Sequence, residues 1–279
     1  MKIVGLITEY NPFHNGHLHH INEARRVTGA DYVIVVMSGD YVQRGAPAVM
    51  PKRLRAEMAL KCGASAVFEL PVCYAAGSAE YFAMGAVSLL DSLGIVDAIC
   101  FGSECNDLES LSHVADILTG EPDDYRSLLR TNLKKGVSFP SARHDALLEY
   151  THVPAYAALL DDPNNILGIE YLKSLKRLGS HITPFTIQRE GSHYHDQSLS
   201  PERLSSASAI RSLLAYSGSS LRTEHSGAGF ENTSFSSILG ELEEQVPSCC
   251  LELLEDYHRV QYPVYQNDFS IILKYKLLN

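Results

Sequence analysis

The segment EYNPFHNGHLHH, residues 9–20, places four of the chain's twelve histidines within seven positions. A proline-containing turn leads there from the apolar run KIVGLIT into a stretch of helical periodicity that starts near Gly16. His14 and His17, three apart at the expected helix N-terminus, face one side. Backbone N–H groups and the helix dipole already make such a terminus an anion site. Two imidazoles add donors for phosphate oxygens, and Gly16 removes the Cβ that would hold a nucleotide off the backbone. The combination suits attack on the α-phosphate of ATP, where charge builds on the phosphoryl oxygens while pyrophosphate leaves. Donors fixed where that charge develops are the main contribution a protein can make.

Two plainer readings compete. A structural zinc site wants three or four ligands in tetrahedral array, and no cysteine lies within forty residues of these histidines, so no metal site is expected. His19 and His20 read equally well as the exposed surface of the helix. The six cysteines show no CxxC spacing and are expected to be reduced thiols in a cytosolic, cytoplasmic setting.

The elements that must hold this turn follow from hydrophobic patterning. Residues 2–8, 31–39, 64–71 and 96–104 read as strands buried on both faces, each ending at Gly, Pro or a polar cluster. The segments between them have helical length and periodicity and close at Gly29, Gly63 and Gly94. Regular alternation predicts a parallel sheet with right-handed crossovers. Ligands in such sheets sit beyond the carboxyl ends of the strands, near the point where strand order reverses. EYNPFHNGH, SGDYVQRGAP and GSE all follow predicted strands.

From about 107 to 178 the pattern is mainly helical, predicting an inserted or peripheral helical subdomain. Residues 180–190 return as a strand, the fifth of the sheet. The α/β domain is thus expected over 1–216, a Ser/Gly-rich linker over 217–237, and a partial C-terminal helical region over 238–279.

With 279 residues and 45% hydrophobic content the chain is long enough for a full α/β core. No run approaches the roughly 18 apolar residues of a membrane span. A formal charge of −10 does not suggest a nucleic-acid partner, because phosphate backbones are held mainly by Lys and Arg. A local patch remains open: Lys52, Arg53 and Arg55, or Lys134 and Lys135, or Lys173, Lys176 and Arg177, though each run reads first as a solvated helix face.

NPFHNGH resembles the HxGH motif of the nucleotidyltransferase superfamily, whose fold is Rossmann-like. VGLITEYNPFHNGHLHH, VMSGDYVQRGAPAV, FELP, FGSE, PNNILG, YHD and SASAIR, in that order, together resemble the tRNA(Met) cytidine acetate ligase family over roughly residues 1–215. The resemblance implies an enzyme that uses ATP, together with Mg2+, to activate acetate as acetyl-adenylate. The acetyl group then passes to the wobble cytidine of elongator methionine tRNA, forming N4-acetylcytidine without acetyl-CoA. It assigns His14 and His17 to catalysis and ATP contact to Ile7, Thr8, Glu9, Tyr10, Asn11, Pro12, Phe13, His14, Asn15, Gly16, His17, Leu18, His19 and His20. Gly102, Asn164, Arg189, Ser208 and Arg211 are further implied ATP contacts.

Each of these has an ordinary reading as well: Asn164 and Ser208 as helix caps, Arg189 as an ion-pair partner. Gln43 and Arg44 are placed where acetate or a phosphate would be met. His195 and Asp196 either act near the cytidine or organise a loop, and Glu9 and Asp40 read first as loop hydrogen-bonding groups rather than magnesium ligands. Family chains normally continue well past this length. A small-molecule adenylyltransferase acting on a phosphorylated metabolite would share His14, His17, Ser208 and Arg211. A non-catalytic RNA-binding module is the third reading.

Overall fold

The structure, a computed structural model, describes residues 1–189, 207–219, 233–260 and 264–279. Five parallel strands, β1 (Ile3–Thr8), β2 (Tyr32–Ser38), β3 (Ala66–Leu70), β4 (Ala98–Ser103) and β5 (Thr183–Gln188), pair in the order β3-β2-β1-β4-β5. All five begin within the segments predicted as strands. The chain winds outward from β1 through β2 to β3, then crosses back to β4 and on to β5. The reversal lies between β1 and β4, so the loops leaving those two strands flank a crevice.

The helices are α1 (Asn15–Thr28), α2 (Lys52–Lys61), α3 (Val72–Ala75), α4 (Ala79–Ser92), α5 (Leu108–Gly120), α6 (Asp123–Lys134), α7 (Phe139–Thr151), α8 (Pro154–Ala158), α9 (Pro163–Leu178), α10 (Ala207–Ser219), α11 (Thr233–Glu243), α12 (Ser248–Val260) and α13 (Ser270–Leu278). Helices from this set cover both faces of the sheet, as the alternation of strand residues requires, while α13 buries no residue. Val4, Leu6, Val33, Val35, Met37, Ala98 and Cys100 point into one apolar cluster with Ile21 of α1, Met58 of α2, Ile210 of α10, Leu242 of α11 and Leu254 of α12. Ile3, Ile34, Val36, Ile99 and Phe101 point into the other, with Phe82 and Leu90 of α4, Val114 of α5 and Ile169 of α9.

Two details differ from the patterning. Only the inner strands are buried on both faces; β3 and β5 are edges, and Glu69 and Thr183 stand exposed on them. Within residues 107–178, α5 and α9 are part of the layer that covers the sheet, while α6 and α7 pack chiefly on each other.

Two of the expected surface cations are also buried. Arg55 is fully enclosed and donates to the backbone carbonyls of Glu9, Gly39 and Met50, tying together the loops that leave β1 and β2. Lys173 is buried against Glu170, with Nζ 2.7 Å from its carboxylate, and Arg143 reaches the same carboxylate at 2.9 Å. The i, i+3 spacing of a basic run cannot report whether an acidic partner or a cluster of carbonyls waits beneath it. No helix among the described residues is long and apolar enough to cross a membrane.

Candidate active site

His14 is the N-cap of α1, with extended backbone (φ −149°, ψ 175°). Its Nδ1 accepts from the Gly16 N–H at 3.1 Å, and Nδ1 of His17 accepts in return from the His14 N–H at 3.3 Å. This is a reciprocal cap in which imidazoles replace the usual hydroxyl and carboxylate. A neutral imidazole that accepts at Nδ1 carries its proton at Nε2. The cap therefore fixes two Nε2–H donors side by side, the rings tilted by 33° with centroids 3.8 Å apart. Tyr10 and Phe13 wedge His17 from behind, at 4.8 and 5.5 Å between centroids.

Both rings are held neutral. Burial pulls His14 down to about 3, helped by the nearby Arg189 and Arg211 guanidiniums. Burial also lowers His17 well below the ordinary histidine range, and His14 and His20 beside it add to the effect. His20 falls to about 4, mainly through burial, although the carbonyl of Cys100 at 3.2 Å favours its N–H form. That bond fastens α1 to β4 and gives His20 a structural task. Gly16 has a local reason too: a Cβ there would lie 2.9 Å from Cε1 of the His14 ring.

These groups open into a cavity of about 490 Å³ at the crevice between β1 and β4. Of the residues singled out from the sequence, Ile7, Thr8, Glu9, Tyr10, Asn11, His14, Gly16, His17, His19, His20, Gln43, Arg44, Gly102, Asn164, Arg189, Ser208 and Arg211 all line it. Pro12, Phe13, Asn15 and Leu18 do not. Phe13 is core, and Asn15 turns away, its side-chain amide donating to the carbonyl of Glu244 at 2.9 Å. His195 and Asp196 lie outside the described residues.

The opposite wall is a relay. Arg189 donates to Oδ1 of Asn164 at 2.9 Å, and the Asn164 amide donates to Oε1 of Glu104 at 2.5 Å. The Glu104 carboxylate also accepts the backbone N–H groups of Asn164 (3.4 Å) and Asn165 (2.9 Å), capping α9 from a separate loop. Gly102 makes room for Arg189, whose Cγ would lie 3.0 Å from an added Cβ. Arg211 donates to the carbonyl of Asn11 at 2.7 Å and to the Ser208 hydroxyl at 2.8 Å, fixing a guanidinium over the histidine turn.

Glu9 accepts the Gln43 N–H at 2.9 Å. Burial pushes its carboxyl up, opposed by that hydrogen bond and by Arg211, Arg55 and Arg44. Asp40 does loop work, accepting from the Lys52 N–H at 2.9 Å.

Sequence reasoning missed Glu104, which stands in the quoted GSE but reveals its role only when α9 arrives beside it. It also missed the apolar wall of Phe82, Phe101, Ile166, Leu167 and Tyr171, whose periodicity is that of any core. Away from the cavity, Cys62, Cys249 and Cys250 come together, a grouping that linear spacing concealed. Chemically, the cavity offers neutral N–H donors, permanent cations and a helix N-terminus on one side and an apolar slot on the other. That suits a nucleotide triphosphate with its base against the apolar wall.

A family profile described as HIGH nucleotidyl transferase matches residues 1–279. The tRNA(Met) cytidine acetate ligase of Acetivibrio thermocellus is 45% identical over 271 residues, which cover 96% of this chain and 61% of the relative. That of a Thermoanaerobacter species is 47% identical, covering 100% of this chain and 65% of the relative. Among solved structures, Thermotoga maritima TmcAL bound with alpha-thio ATP superposes with a TM-score of 0.85 at 38% identity, covering 100% of this chain and 62% of the other. Its apo form gives a TM-score of 0.88 at 40% identity. The chain thus spans 61 to 65% of the length of these two curated relatives.

Proposed function

The chain belongs to the HIGH nucleotidyl transferase family, and from that footing we propose that it uses ATP to activate acetate as acetyl-adenylate. The acetyl group then passes to the wobble cytidine of elongator methionine tRNA, in a cytosolic setting. The observation that carries the first step is the reciprocal imidazole cap, which aims two neutral N–H donors into a cavity also lined by Arg189 and Arg211. The names of the relatives and the nucleotide analogue in the T. maritima structure support the choice of substrates.

In the proposed reaction an acetate oxygen attacks the α-phosphorus. A P–O bond forms, the bond to the bridging oxygen breaks, and its electron pair leaves with pyrophosphate. His14 and His17 donate to the phosphoryl oxygens as charge grows there, and being neutral they need give up no proton. Arg189 and Arg211 balance the phosphate charge. Arg44, exposed at the cavity rim beside Gln43, is the proposed acetate partner.

Mg2+ entering with the nucleotide would draw its ligands chiefly from phosphate oxygens and water. Glu9 is the carboxylate on the histidine loop, with Oε1 already accepting from Gln43. In the second step the cytidine amine attacks the acetyl carbon, AMP departs, and the amine loses a proton. His195 and Asp196 are the proposed neighbours of that event.

Acetate-dependent exchange of labelled pyrophosphate into ATP tests the first step. Exchange is expected with acetate. Its absence, together with AMP transfer to a phosphorylated metabolite, would replace this reading with a small-molecule adenylyltransferase. Appearance of N4-acetylcytidine in methionine tRNA tests the second step.

A further inference from the structure

Cys62 meets the adjacent pair Cys249 and Cys250, 187 and 188 positions further along the chain, at one point. Cys62 caps the C-terminus of α2, and Cys249 and Cys250 stand in the first turn of α12. The Cys62 Sγ lies 3.4 Å from that of Cys250 and 3.7 Å from that of Cys249, and all three sulfurs lie within 4.8 Å of one another. Metal–thiolate bonds of about 2.3 Å in a tetrahedral site hold sulfurs about 3.8 Å apart. The observed spacing is close to that before any ligand is added.

We propose that Cys62, Cys249 and Cys250 form a three-thiolate site for a thiophilic cation, Zn2+ in the first instance, with water as the fourth ligand.

The surroundings favour this occupant. Thiolates at the start of α12 sit at the positive end of its dipole, and the cation sits at the negative end of α2. Cys62 and Cys250 are buried, whereas Cys249 is only half-buried, which gives the ion an entry path and the water a place. Cys73, Cys100 and Cys105 join no such group among the described residues. Binding replaces three S–H protons, which pass to solvent, and no oxidant or reductant is required.

The site would rivet α12 to α2. Its effect extends toward the cavity, because the turn just before α12 receives α1: the Asn15 N–H donates to the carbonyl of Gln245 at 2.9 Å, and its side chain to that of Glu244. A cation there fixes the segment on which the histidine turn rests.

The test uses the full chain, reduced and stripped of metal, titrated with Cd2+ while the sulfur-to-metal charge-transfer absorption is followed. One equivalent is expected to saturate the band, and Zn2+ to raise Tm by a few degrees. Cys62→Ser and Cys250→Ser should abolish the band, while Cys73→Ser and Cys105→Ser keep it. X-ray absorption on the zinc-loaded wild-type chain should count three sulfurs, which protects the conclusion if a cysteine variant fails to fold. A band that survives Cys62→Ser, a sulfur count of two or fewer, or no saturable uptake by the reduced, folded chain would overturn the proposal. A Cys62–Cys250 disulfide whose reduced form takes up no metal would do the same.

Discussion

The histidine wall of the cavity draws its donors from one continuous stretch, whereas the facing wall joins groups as distant as Glu104 and Gln188, 84 positions apart. On the first wall the two donor rings are set by neighbours in sequence: His14 accepts from Gly16, and His17 accepts from His14. On the second, Arg189 is aimed by Asn164 and Asn164 by Glu104, three groups from β5's end, α9 and the loop after β4. On the proposed function, the first wall would place neutral donors where charge develops, and the second a permanent cation where charge already exists. Damage to the first should therefore fall on the rate of the chemical step, and damage to the second on nucleotide affinity.

The largest effect is expected from His14→Ala and His17→Ala. Each should lower acetate-dependent pyrophosphate exchange by about 10²–10³-fold, as loss of one preorganised donor does elsewhere. Loss of the cap should cost about 1 kcal/mol in stability. Single-turnover measurements at saturating ATP separate the two consequences. A variant that only became less stable, with its rate intact, would remove these rings from the chemistry.

Next comes acid sensitivity, which the two walls should not share. An unfolded histidine titrates near its ordinary 6.5, while folded His14 is held at about 3 and His20 at about 4. Between those values the unfolded chain takes up protons that the folded chain refuses. Stability is thus complete above about pH 6.5 and is lost progressively as pH falls toward 4. Thermal melts from pH 7 to 5 should show Tm falling by several degrees, and His20→Gln, which keeps a donor for the Cys100 carbonyl, should flatten the slope. Parallel slopes for the variant and the wild-type chain would mean that the neutral histidines are not the cause.

The same contrast explains what was legible beforehand. Buried inner strands announce themselves by composition, so β1, β2 and β4 were readable, and with them the crevice. The histidine turn was readable because cap, glycine and helix start are contiguous. Arg55 was misread as surface because three carbonyls converge on it only after β1, β2 and α2 have packed. Glu104, the apolar wall and the meeting of Cys62 with Cys249 and Cys250 were invisible for the same reason. Each is a long-range contact whose partners carry no local signature.

A smaller effect tests the assembled wall. Glu104→Ala should leave the maximal exchange rate nearly unchanged and raise the KM for ATP about tenfold, because Asn164 and, through it, Arg189 lose their orientation. Glu104→Gln, which retains one acceptor oxygen, should fall between. A loss confined to the rate, with KM unaffected, would show that the second wall also acts on the transition state and would erase the proposed division of labour.

The smallest effect comes from Asn15, which lies inside the histidine segment yet belongs to neither wall. The family resemblance places it with the ATP contacts, but its side chain donates instead to the carbonyl of Glu244, and its N–H to that of Gln245. Asn15→Ala keeps the N–H bond and removes only the partly exposed side-chain bond, about 0.5–1 kcal/mol. Alanine is at the same time a good residue for the first turn of a helix. The expected outcome is a Tm lower by a few degrees at most and a KM for ATP equal to that of the wild-type chain. An unchanged Tm with a raised KM would bring Asn15 back into the nucleotide site, and the histidine wall would then extend one residue further than its hydrogen bonds imply.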